Sequence, residues 1–595
     1  MPSLEGLNPA QREAAQHKDG PCVVVAGAGS GKTTMLVLRI LGLVESGVPP
    51  QRILSCTFTK KATEDMRTRL EQAMGPRAKN VVVTTIHGLA HRMVVPTLGP
   101  GWQLVPNNTW MIEVVLAPKT SVNPYGTGLG ERFSPEEVQQ CLSVAKNSGW
   151  TPGQLSDPDQ NRVFDAYERW KTVHKKLDFD DLLVRAHRLL YNDPAFFRTV
   201  SSRFQYVLVD EFQDTNWVQW LILQKLVEPH RNLFVVGDDY QSIYGFRGAR
   251  PELILEFSKY YPDAKIVLLE RNYRSTETVV QASNRVIRLS KTQRVKRVVA
   301  HRQGGDAVRI LACETPEQQA LRVVETIQGL KTAFPELGWS DFAVLYRTNT
   351  ESRDMEEAFT EAKMPFSIVG DQHFYEMPAV VSVLSYLRVV EAIQRKAPIP
   401  PEAVFRSVEF PKKLLSSVAK ESLRANGIDV VYREPERFEP YLELLERLLP
   451  IEQPSAFLET LKQGVPGWHD SQELPAWWSS LQVASKRHAT LRAFLKHVDW
   501  VLDQAKEPKP EAIPCMTIHR SKGLEWKTVF VLNVVEGSIP YAKAQGEASA
   551  LDEETRLFYV AMTRAKDRLY VLYPNTLGNA STVPSRFLRE LEGMS

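Results

Sequence analysis

Short apolar runs rich in β-branched residues alternate along the chain with longer stretches in which apolar residues recur every three or four positions. Residues 22–25 (CVVV) form the first run, and the helical pattern of residues 35–39 (MLVLR) follows a glycine-rich stretch. A buried strand reads as a continuous apolar run, whereas a helix with one buried face repeats with a period near 3.6. The beginning of the chain therefore predicts a strand, a tight turn and a helix.

Comparable runs predict two αβ regions. The expected strands are 53–58, 81–85 and 207–209 in the first region, and 264–269, 307–311, 342–346, 528–533 and 569–572 in the second. Residues 89–203 and about 376–505 lack such runs and are mainly helical in pattern, and the first of these segments carries three expected core anchors: Trp110, Trp150 and Trp170. Consecutive strands of a nucleotide-binding core need far shorter connections, so we expect each helical segment to be an insertion.

The stretch AGAGSGKTT (residues 26–34) predicts a phosphate-binding loop. Glycines let successive backbone N–H groups point inward, and the helix that follows adds a partial positive charge at its first turn. Lys32 and the hydroxyl of Thr33 indicate a triphosphate site, because a dinucleotide-binding turn would carry glycine where Lys32 stands. We predict nucleotide contacts from the loop and the helix after it: Ala26, Gly27, Ala28, Gly29, Ser30, Gly31, Lys32, Thr33, Thr34 and Arg39.

An acidic pair directly after residues 207–209 predicts the metal-binding and water-activating groups of the same site. Such a site needs one carboxylate to hold Mg²⁺ and another to polarise the attacking water. We assign the first task to Asp210, together with Thr33, and the second to Glu211. Adjacent carboxylates are more often a solvated surface pair, but a buried apolar strand seldom ends in an unpaired acidic pair.

Composition and charge are those of a globular protein with several domains, since the chain has 595 residues and a formal net charge of +3. This mild excess of basic residues permits a nucleic-acid partner without requiring one. The five cysteines are widely spaced and form no CxxC pair, so we expect no disulfide framework and no zinc or iron–sulfur site. The sequence has neither the pattern of a secretory leader nor an apolar run that could span a bilayer, and we expect a cytoplasmic, nucleoid-associated protein.

Four longer motifs carry a resemblance to a known family: VDEFQDTN (209–216), VVGDDYQSIYGFRGA (235–249), TIHRSKGLEW (517–526) and LFYVAMTRAK (557–566). Together they resemble the superfamily 1 DNA helicases of the UvrD, PcrA and Rep type. The resemblance implies an α/β fold of two RecA-like P-loop cores, each with an inserted, mainly helical subdomain. The expected boundaries are 1–88 and 204–275 for the first core, 89–203 for its insertion, 276–375 and 506–595 for the second core, and 376–505 for its shortened insertion.

The resemblance assigns base and ribose contacts outside the phosphate-binding loop. Gln11 in LNPAQ would read the edge of adenine, because an amide can both donate and accept a hydrogen bond. Tyr273 in NYRST would stack on the face of the base. Glu525 in GLEW would contact the ribose.

The resemblance also assigns groups that act on the phosphates. Gln241 would sense the γ-phosphate. Arg274 and Arg564 resemble the two arginine fingers of the family, one from each core, and a planar, permanently charged guanidinium suits the charge of a transferring phosphoryl group. The residues expected to act in catalysis are Lys32, Glu211, Gln241, Arg274 and Arg564.

Residues of these motifs and of TFTKKA (57–62), TTIHG (84–88) and LYRTN (345–349) match family positions that line single-stranded DNA: Phe58, His87, Tyr244, Phe246, Arg247, Arg347 and Asn349. The resemblance gives His519 either a phosphate contact or a relay between the ATP and DNA sites, and we count it among the DNA contacts. Stacking on an aromatic ring is worth about 1 to 3 kcal/mol per base and tolerates any base. Opening one duplex step costs about 1.4 kcal/mol of stacking. Stacking can therefore hold melted bases, but direction has to come from ATP. We interpret the basic residues between 285 and 297 as a solvated face, with contact to duplex DNA or phosphate as the alternative.

Three features depart from the family pattern. Phe246 replaces a tryptophan, and Lys60 stands where asparagine is common. Residues 409–420 (EFPKKLLSSVAK) lack the glycine-centred turn with which the family holds duplex DNA. This difference weakens the expectation of a duplex grip and of high processivity. We expect no nuclease domain after PSRFL (584–588).

The sequence thus predicts an ATP- and Mg²⁺-dependent translocase on single-stranded DNA that unwinds duplex DNA, with a 3′-to-5′ direction that rests on the resemblance alone. Two alternatives stay open: a translocase that displaces proteins from single strands and unwinds poorly, and a non-enzymatic DNA-binding subunit whose ATP site is a relic. The expected partners are single-stranded DNA, tailed or forked duplex DNA, and repair or replication proteins, with no membrane partner. We expect a monomer or weak self-association.

Overall fold

The computed structural model describes residues 4–370, 373–408, 414–464, 476–506, 511–578 and 580–591. The chain divides into two compact units. Unit 1 consists of Met1–Gly305 and Glu547–Thr563, and unit 2 consists of Asp306–Gly546 and Arg564–Ser595. Each unit contains a parallel sheet with helices packed on it.

The strands are numbered in chain order. They are β1 (Cys22–Ala26), β2 (Ile53–Thr57), β3 (Val82–Thr85), β4 (Gln103–Leu104), β5 (Lys176–Leu177), β6 (Tyr206–Val209), β7 (Leu233–Gly237), β8 (Lys265–Leu269), β9 (Arg271–Thr276), β10 (Val299–Arg302), β11 (Arg309–Cys313), β12 (Phe342–Tyr346), β13 (Phe366–Ile368), β14 (Ile513–Thr517), β15 (Trp526–Val531), β16 (Ala565–Pro574), β17 (Thr576–Leu577) and β18 (Ala580–Ser581).

The α-helices follow the same order, and none that the structure describes combines the length and the apolar character needed to cross a membrane. They are α1 (Pro9–Ala15), α2 (Lys32–Glu45), α3 (Lys60–Met74), α4 (Ile86–Val94), α5 (Thr109–Leu116), α6 (Pro135–Asn147), α7 (Pro158–Val173), α8 (Phe179–Asn192), α9 (Pro194–Ser201), α10 (Trp217–Val227), α11 (Glu252–Leu255), α12 (Phe257–Tyr260), α13 (Glu277–Ile287), α14 (Pro316–Ala333), α15 (Arg353–Glu361), α16 (Pro378–Gln394), α17 (Pro401–Ser407), α18 (Ser417–Asn426), α19 (Asp429–Arg433), α20 (Pro435–Leu448), α21 (Pro454–Gly464), α22 (Ala476–Lys486), α23 (Leu491–Lys506), α24 (Ile518–Ser521) and α25 (Ala548–Met562).

The sheet of unit 1 has six strands among the described residues, in the order β3-β2-β6-β7-β1-β8, and all neighbours are parallel. β1, β6 and β7 are buried along their whole length, which is why they read as continuous apolar runs. The prediction that β8 begins the second αβ region is wrong, because β8 pairs along its length with β1. The carboxyl ends of β1, β6 and β7 meet at one edge, where ligands bind in open α/β sheets.

Helices cover both faces of this sheet. Leu36 of α2 and Met66 of α3 belong to the core on one face, and Leu89 of α4 and Trp220 of α10 belong to the core on the other. Side-chain caps fix where two of the helices begin: Thr59 Oγ1 accepts from Ala62 N before α3, and Thr85 Oγ1 accepts from Gly88 N before α4. The two helices therefore begin shortly after β2 and β3, and strand pairing places the ends of these strands beside the end of β6.

Helices α5 to α9, with the short pair β4 and β5, lie between β3 and β6. Phe164 and Trp170 of α7 belong to the core of this helical segment. The prediction of core anchors is wrong for Trp110 and Trp150, which are 44% and 43% exposed. Other side chains of α5 fill its buried face, such as Met111, and Trp110 meets Trp170 only edge to face, with ring centroids 5.4 Å apart.

Two buried lysines lie among three carboxylates in the same segment. Oxygen atoms of Glu168, Asp178 and Asp181 lie within 4.8 Å of one another, as the ligands of a metal ion would. The ammonium nitrogen of Lys146 lies 2.6 to 2.8 Å from all three carboxylates, and that of Lys171 lies 2.6 to 2.9 Å from them. The lysines already supply the positive charge, so this cluster is an internal ion network.

The sheet of unit 2 also has six strands among the described residues, in the order β11-β16-β15-β12-β14-β13, again with parallel neighbours. β11, β12, β15 and β16 overlap predicted strands, whereas the sequence analysis does not predict β13 and β14. Helices α16 to α23 lie between β13 and β14 and have a core of their own, which includes Phe438, Phe457 and Trp478. Residues 409–413, part of the segment without the glycine-centred turn, lie outside the described residues.

The boundaries expected for the two cores and their insertions stay predictions. The compact units divide the chain elsewhere, because residues 276–305 and 547–563 belong to unit 1. There, helix α13 packs against helix α25. Both sheets are parallel and helix-covered, as the predicted α/β class requires.

Candidate nucleotide and DNA site

The phosphate-binding loop joins the end of β1 to the start of α2. Gly29 and Gly31 have positive φ angles of 64° and 77°, a backbone conformation that favours glycine. Space is equally restrictive, because a Cβ atom at Gly29 would lie 2.7 Å from Cβ of Arg274. The backbone N–H of Tyr273 donates to Gly29 O at 2.9 Å. The loop therefore packs directly against β9, which carries two predicted nucleotide contacts.

The polar groups of the loop fit an anion. Helix α2 has Gly31 as its N-cap, which supplies no side-chain cap for the first N–H groups of the helix. Ser30 is buried, and its Oγ has no hydrogen-bond partner among the described residues. Buried donors of this kind require a partner, and a phosphate oxygen satisfies several at once. The loop therefore fits the phosphates of a nucleotide.

The acidic pair lies at the end of β6. Glu211 adopts a left-handed backbone conformation with φ 52°, which is uncommon for a non-glycine residue and occurs at functional sites. Its Oε1 lies 3.6 Å from Nζ of Lys32. Burial, followed by the charge of Glu211, raises the pKa of Asp210 to about 7. A divalent cation would offset this unfavourable charge, so the pair fits Mg²⁺ with Asp210 and Thr33 as candidate ligands.

Gln213 connects the ends of β6 and β7, a role not predicted from the sequence. Its Nε2 donates to Glu211 Oε2 at 2.6 Å, and its Oε1 accepts from the backbone N–H of Asp238 at 2.9 Å. Asp238 Oδ2 in turn accepts from Nε2 of Gln241 at 2.5 Å. A Cβ atom at Gly237 would lie 2.5 Å from Gln213 Oε1, so the glycine makes room for this amide. The sequence gives one signal for this residue: Gln213 lies two positions after Glu211, in DEFQD.

Gln11 and Tyr273 lie on one side of the loop. Gln11 Nε2 donates to Ser30 O at 2.7 Å, and its Oε1 accepts from the backbone N–H of Asn8 at 3.0 Å. The amide keeps one hydrogen and one lone pair for a further partner. Asn8 Nδ2 donates to the Tyr273 hydroxyl at 2.9 Å, and the Tyr273 ring lies 5.0 Å from the His301 ring. The structure thus brings the two predicted base contacts together.

Arg39 is the exception among the predicted nucleotide contacts. It is 2% exposed, and its guanidinium donates to the carbonyl oxygens of His17 and Lys18 and lies 4.3 Å from the ring centroid of Phe234. These contacts hold the loop after α1 against the sheet. We therefore correct the assignment: Arg39 stabilises unit 1 and its charged group is not available to a nucleotide.

Arg274 and Arg564 are described in separate units. In unit 1, Nη1 of Arg274 donates to the carbonyl oxygen of Thr563 at 3.1 Å, at the C-cap of α25. In unit 2, Arg564 is 1% exposed and its Nη1 donates to Leu524 O at 3.1 Å. Glu525, the predicted ribose contact, pairs with Lys566 at 2.8 Å.

Four of the predicted DNA contacts form one cluster in unit 1, which we call the aromatic cluster: Phe58, Tyr244, Phe246 and Arg247. The rings of Phe58 and Tyr244 are stacked with centroids 5.1 Å apart, and those of Tyr244 and Phe246 are 5.9 Å apart. The Arg247 guanidinium lies 5.3 and 5.5 Å from the centroids of Tyr244 and Phe246. Phe246 is 41% exposed and presents its ring to solvent.

A cavity of about 280 Å³ connects this cluster with the acidic pair. Phe58, His87 and Arg247 line it together with Asp210 and Glu211. Burial lowers the pKa of His87 to about 4. His87 is therefore neutral near pH 7 and offers a ring and a hydrogen bond, not a charge, to a nucleic acid.

The low pKa of His87 predicts a loss of stability in acid. An unfolded histidine has a pKa near 6.5, so the unfolded chain binds more protons than the native chain between pH 6.5 and about 4. Native stability therefore falls as the pH falls through this window. We expect the stability advantage of the wild type over His87→Asn, measured by urea unfolding, to be constant above pH 7 and to shrink by about 1 to 3 kcal/mol between pH 7 and pH 4. Parallel curves for the two proteins would contradict a buried neutral imidazole.

The predicted DNA contacts of unit 2 follow two neighbouring strands. Arg347 and Asn349 follow β12, and His519 follows β14, which pairs with β12 up to Tyr346 and Thr517. The Arg347 guanidinium lies 4.9 Å from the ring centroid of Tyr541. Asn349 Oδ1 is buried without a hydrogen-bond partner in the part of the chain that the structure describes. The parallel sheet thus brings the three residues to one edge.

Helix α25 overlaps the motif LFYVAMTRAK, but its contacts in unit 1 are not predicted from the sequence. Glu553 Oε1 accepts from the backbone N–H of Gly245 at 3.2 Å, and a Cβ atom at Gly245 would lie 2.2 Å from Glu553 Oε2. Nε of Arg556 donates to Ser242 O at 2.7 Å. The middle of the helix therefore holds the backbone of the aromatic cluster, and its C-cap residue Thr563 accepts from Arg274.

Comparison with known proteins decides the family. Residues 7–262 match the UvrD/REP helicase N-terminal domain, and residues 267–450 and 468–576 match the UvrD-like helicase C-terminal domain. The chain belongs to the UvrD/REP helicase family. The two matches cover the phosphate-binding loop, the acidic pair, the aromatic cluster and α25, so each of these elements lies within a region typical of the family.

Curated relatives of this UvrD/REP helicase align with almost its whole length. YjcD of Bacillus subtilis (strain 168) is 34% identical over 633 residues, which cover 99% of this chain and 82% of YjcD. PcrA of Leuconostoc citreum is 32% identical, and the aligned region covers 98% of this chain and 85% of that protein. PcrA of Bacillus subtilis (strain 168) is 30% identical, with coverage of 99% and 86%. Both PcrA proteins are named ATP-dependent DNA helicases.

These matches confirm the family and the fold class that the sequence predicts, an α/β protein with two RecA-like cores. They also confirm the enzyme class: this UvrD/REP helicase is an ATP-dependent DNA helicase. The roles of individual residues, the magnesium ion and the direction of movement stay predictions.

Proposed function

We propose that this UvrD/REP helicase uses ATP hydrolysis, with Mg²⁺, to move 3′ to 5′ along single-stranded DNA and to unwind duplex DNA. One observation in unit 1 carries the proposal: Asp210 and Glu211 line the same cavity as Phe58, His87 and Arg247. Because these residues share one cavity, a displacement of the acidic pair during hydrolysis can displace the residues that are suited to hold bases. The direction of movement rests on family resemblance.

The groups at the ends of β1 and β6 have distinct tasks in hydrolysis. Mg²⁺, when bound, neutralises phosphate charge and would be held by Thr33 and Asp210. Lys32 donates to the β- and γ-phosphates. Glu211 polarises the attacking water, and Gln213 keeps its carboxylate in place through the 2.6 Å hydrogen bond.

The remaining nucleotide contacts keep the roles that the resemblance implies. Gln11 binds the adenine edge through the remaining hydrogen of its Nε2 and the remaining lone pair of its Oε1. Tyr273 stacks on the base. Arg274 and Arg564 stabilise the charge of the phosphoryl group. Glu525 contacts the ribose.

The aromatic cluster holds single-stranded DNA by stacking. Its exposed ring at Phe246 gives a base about 1 to 3 kcal/mol whatever the base is. Neutral His87 and cationic Arg247 line the cavity behind it, and Arg247 supplies the charge for phosphate contact. In unit 2 we assign Arg347, Asn349 and His519 to contacts with single-stranded DNA.

Truncating Phe246 tests the stacking role. Because Phe246 lies outside the acidic site, we expect Phe246→Ala to leave basal ATP hydrolysis within about 2-fold. We expect it to raise the DNA concentration for half-maximal stimulation about 5- to 150-fold, the equivalent of about 1 to 3 kcal/mol. The measurement is steady-state ATPase over a titration of oligo-dT.

Phe246→Trp is the matched variant, since it keeps a stacking face and enlarges it. We expect its half-maximal DNA concentration to equal that of the wild type or to lie below it. If Phe246→Ala lowered basal and stimulated turnover by the same factor, the ring would serve the fold and not a base.

Two assays test the proposed function as a whole. The first measures ATP hydrolysis with and without single-stranded DNA, with Mg²⁺ present or chelated, and we expect strong stimulation by DNA only when Mg²⁺ is present. The second measures unwinding of duplexes that carry a 3′ or a 5′ single-stranded tail, and we expect unwinding of the 3′-tailed duplex. Unwinding of the 5′-tailed duplex alone would reverse the proposed direction.

The same assays separate the alternatives. Efficient displacement of streptavidin from a biotinylated single strand, with little unwinding of either duplex, would identify a translocase that strips proteins. DNA binding without ATP turnover would identify a binding subunit with a relic site. Association with repair or replication proteins, and the oligomeric state, are separate proposals that pull-down and sedimentation experiments address.

A further inference from the structure

Lys296 is buried, unlike most of the other basic residues in its segment. The basic residues between 285 and 297 are expected from the sequence to form a solvated face, and Arg285, Arg288, Lys291 and Arg297 are exposed. The Lys296 side chain, in contrast, is 0% exposed. A lysine is almost never fully buried unless its charge is paired, so this position requires an explanation.

The ammonium group of Lys296 has three acceptors. Its Nζ lies 2.6 Å from Oδ1 of Asp238, 2.6 Å from Oδ1 of Asp239 and 3.1 Å from the carbonyl oxygen of Ala26. It also lies 3.8 Å from the ring centroid of Tyr240. An ammonium group has three hydrogens, so these three acceptors use its full donor capacity.

The acceptors belong to two different parts of the nucleotide site. Ala26 is the first residue of the phosphate-binding loop. Asp238 follows β7, where its other carboxylate oxygen accepts from Gln241 Nε2 at 2.5 Å and its backbone N–H donates to Gln213. Lys296 therefore ties the start of the loop to the carboxylate that orients Gln241, through a single compact charge.

We propose that Lys296 is a positioning residue for ATP hydrolysis, which fixes Gln241 relative to the phosphate-binding loop through Asp238 and Ala26. The inference rests on the proposed function, in which Gln241 contacts the γ-phosphate. Gln241 can act in hydrolysis only while its amide keeps a fixed place relative to the loop. Displacement of such a group by about 1 Å can lower the rate about 100-fold.

Removing Lys296 alone would also leave two buried carboxylates without their cation, which destabilises a fold. The experiment therefore uses two variants that retain the charge balance. In Lys296→Met combined with Asp239→Asn, one positive and one negative charge are removed together, and Asp238 keeps its bond to Gln241. In Lys296→Arg the charge stays, but a planar guanidinium cannot reproduce the three contacts of a compact ammonium group.

We expect both variants to unfold within a few degrees of the wild type and to bind ADP, which lacks the γ-phosphate, with affinity within about 3-fold. We expect kcat for ATP hydrolysis with saturating oligo-dT to fall about 10- to 100-fold in both. Arg297→Met, which removes an exposed cation from the same segment, should keep the kcat and KM of the wild type. This split between kcat and ADP affinity is a readout that a purely structural role would not produce.

Wild-type kcat in either folded variant would overturn the proposal and leave Lys296 as a charge partner of the two aspartates. Failure of both variants to fold would overturn it as well, because it would assign the lysine to stability alone. Lys32→Ala serves as the reference for the proposed function. If Lys32→Ala hydrolysed ATP normally, the nucleotide site itself would be misassigned. If the Lys296 variants hydrolysed ATP normally and Lys32→Ala did not, only the positioning role would fail.

Discussion

Replacing Glu211 with glutamine should lower kcat for ATP hydrolysis about 10²- to 10⁴-fold while KM for ATP changes less than about 3-fold. Glutamine has nearly the same shape as glutamate, but its amide cannot take a proton from water. The side chain is held by Gln213, whose Nε2 can still donate to the remaining oxygen, and by the left-handed backbone at this position. The loss should therefore fall on the chemical step and not on nucleotide binding.

The measurement is steady-state hydrolysis with saturating single-stranded DNA, beside equilibrium binding of a fluorescent ATP analogue. Glu228→Gln is the matched control, because Glu228 is an exposed carboxylate at the end of α10. It should keep wild-type kcat. A Glu211→Gln variant with normal kcat and a raised KM would mean that the carboxylate serves binding, and another group would have to activate water.

The order of strands and the chemistry at their ends explain how much of the site can be predicted from the sequence. The loop after β1 and the acidic pair after β6 each follow a fully buried apolar strand, so local pattern alone identifies both. Lys32 and Glu211 are then brought within 3.6 Å because parallel strands place their carboxyl ends at one edge. A local signal and a general rule of the fold are sufficient for this pair.

Other contacts depend on tertiary packing, which no local pattern contains. Lys296 reads as one more cation of a basic segment, and only its burial between two aspartates reveals its position. Arg39 follows the phosphate-binding loop closely enough to suggest a nucleotide contact. Its guanidinium nevertheless meets carbonyl oxygens of the segment after α1. In both cases the charge can be read from the sequence, but its partner cannot.

Two strands of unit 2 escape prediction for physical reasons. β14 contains Pro514, which cannot donate to a ladder and argues against a strand inside a sheet. It nevertheless lies between β12 and β13, with Pro514 opposite Ser367 of β13. β13 has only three residues, too few for a periodic pattern. The predicted strands of unit 2 are those with longer apolar runs, such as β12 and β15.

Within unit 1, helix α25 links the residues that we propose for ATP hydrolysis to those that we propose for DNA binding. Its residues Glu553 and Arg556 contact the backbone that carries the aromatic cluster. Its C-cap carbonyl accepts from Arg274, which packs on Gly29 of the phosphate-binding loop. A rigid helix with contacts at its middle and at its C-cap can transmit a displacement from one set of contacts to the other. From the sequence, this segment is expected in the second core, so its contacts inside unit 1 are not predicted.

Lys32→Ala should have a different signature from Glu211→Gln. Lys32 is the one charged residue of the phosphate-binding loop, and it is the first residue of α2, where the N–H groups of the helix lack intrahelical partners. Its loss removes charge that stabilises phosphate oxygens both before and during hydrolysis. We expect kcat to fall at least about 100-fold and the affinity for ATP to fall about 10-fold or more. The measurements are single-turnover hydrolysis and binding of the same fluorescent analogue.

Binding of single-stranded DNA without nucleotide is the internal control. The aromatic cluster does not include Lys32, so Lys32→Ala should bind an oligonucleotide within about 3-fold of the wild type. Its pair with Glu211 is partly exposed, with 13% and 25% of the two side chains accessible, and the loss of stability should be about 1 kcal/mol or less. Simultaneous loss of hydrolysis and of nucleotide-free DNA binding would indicate that Lys32 supports the fold. Loss of hydrolysis alone assigns it to the phosphates, and only then do the kcat effects at Glu211 and Lys296 report on catalysis and positioning.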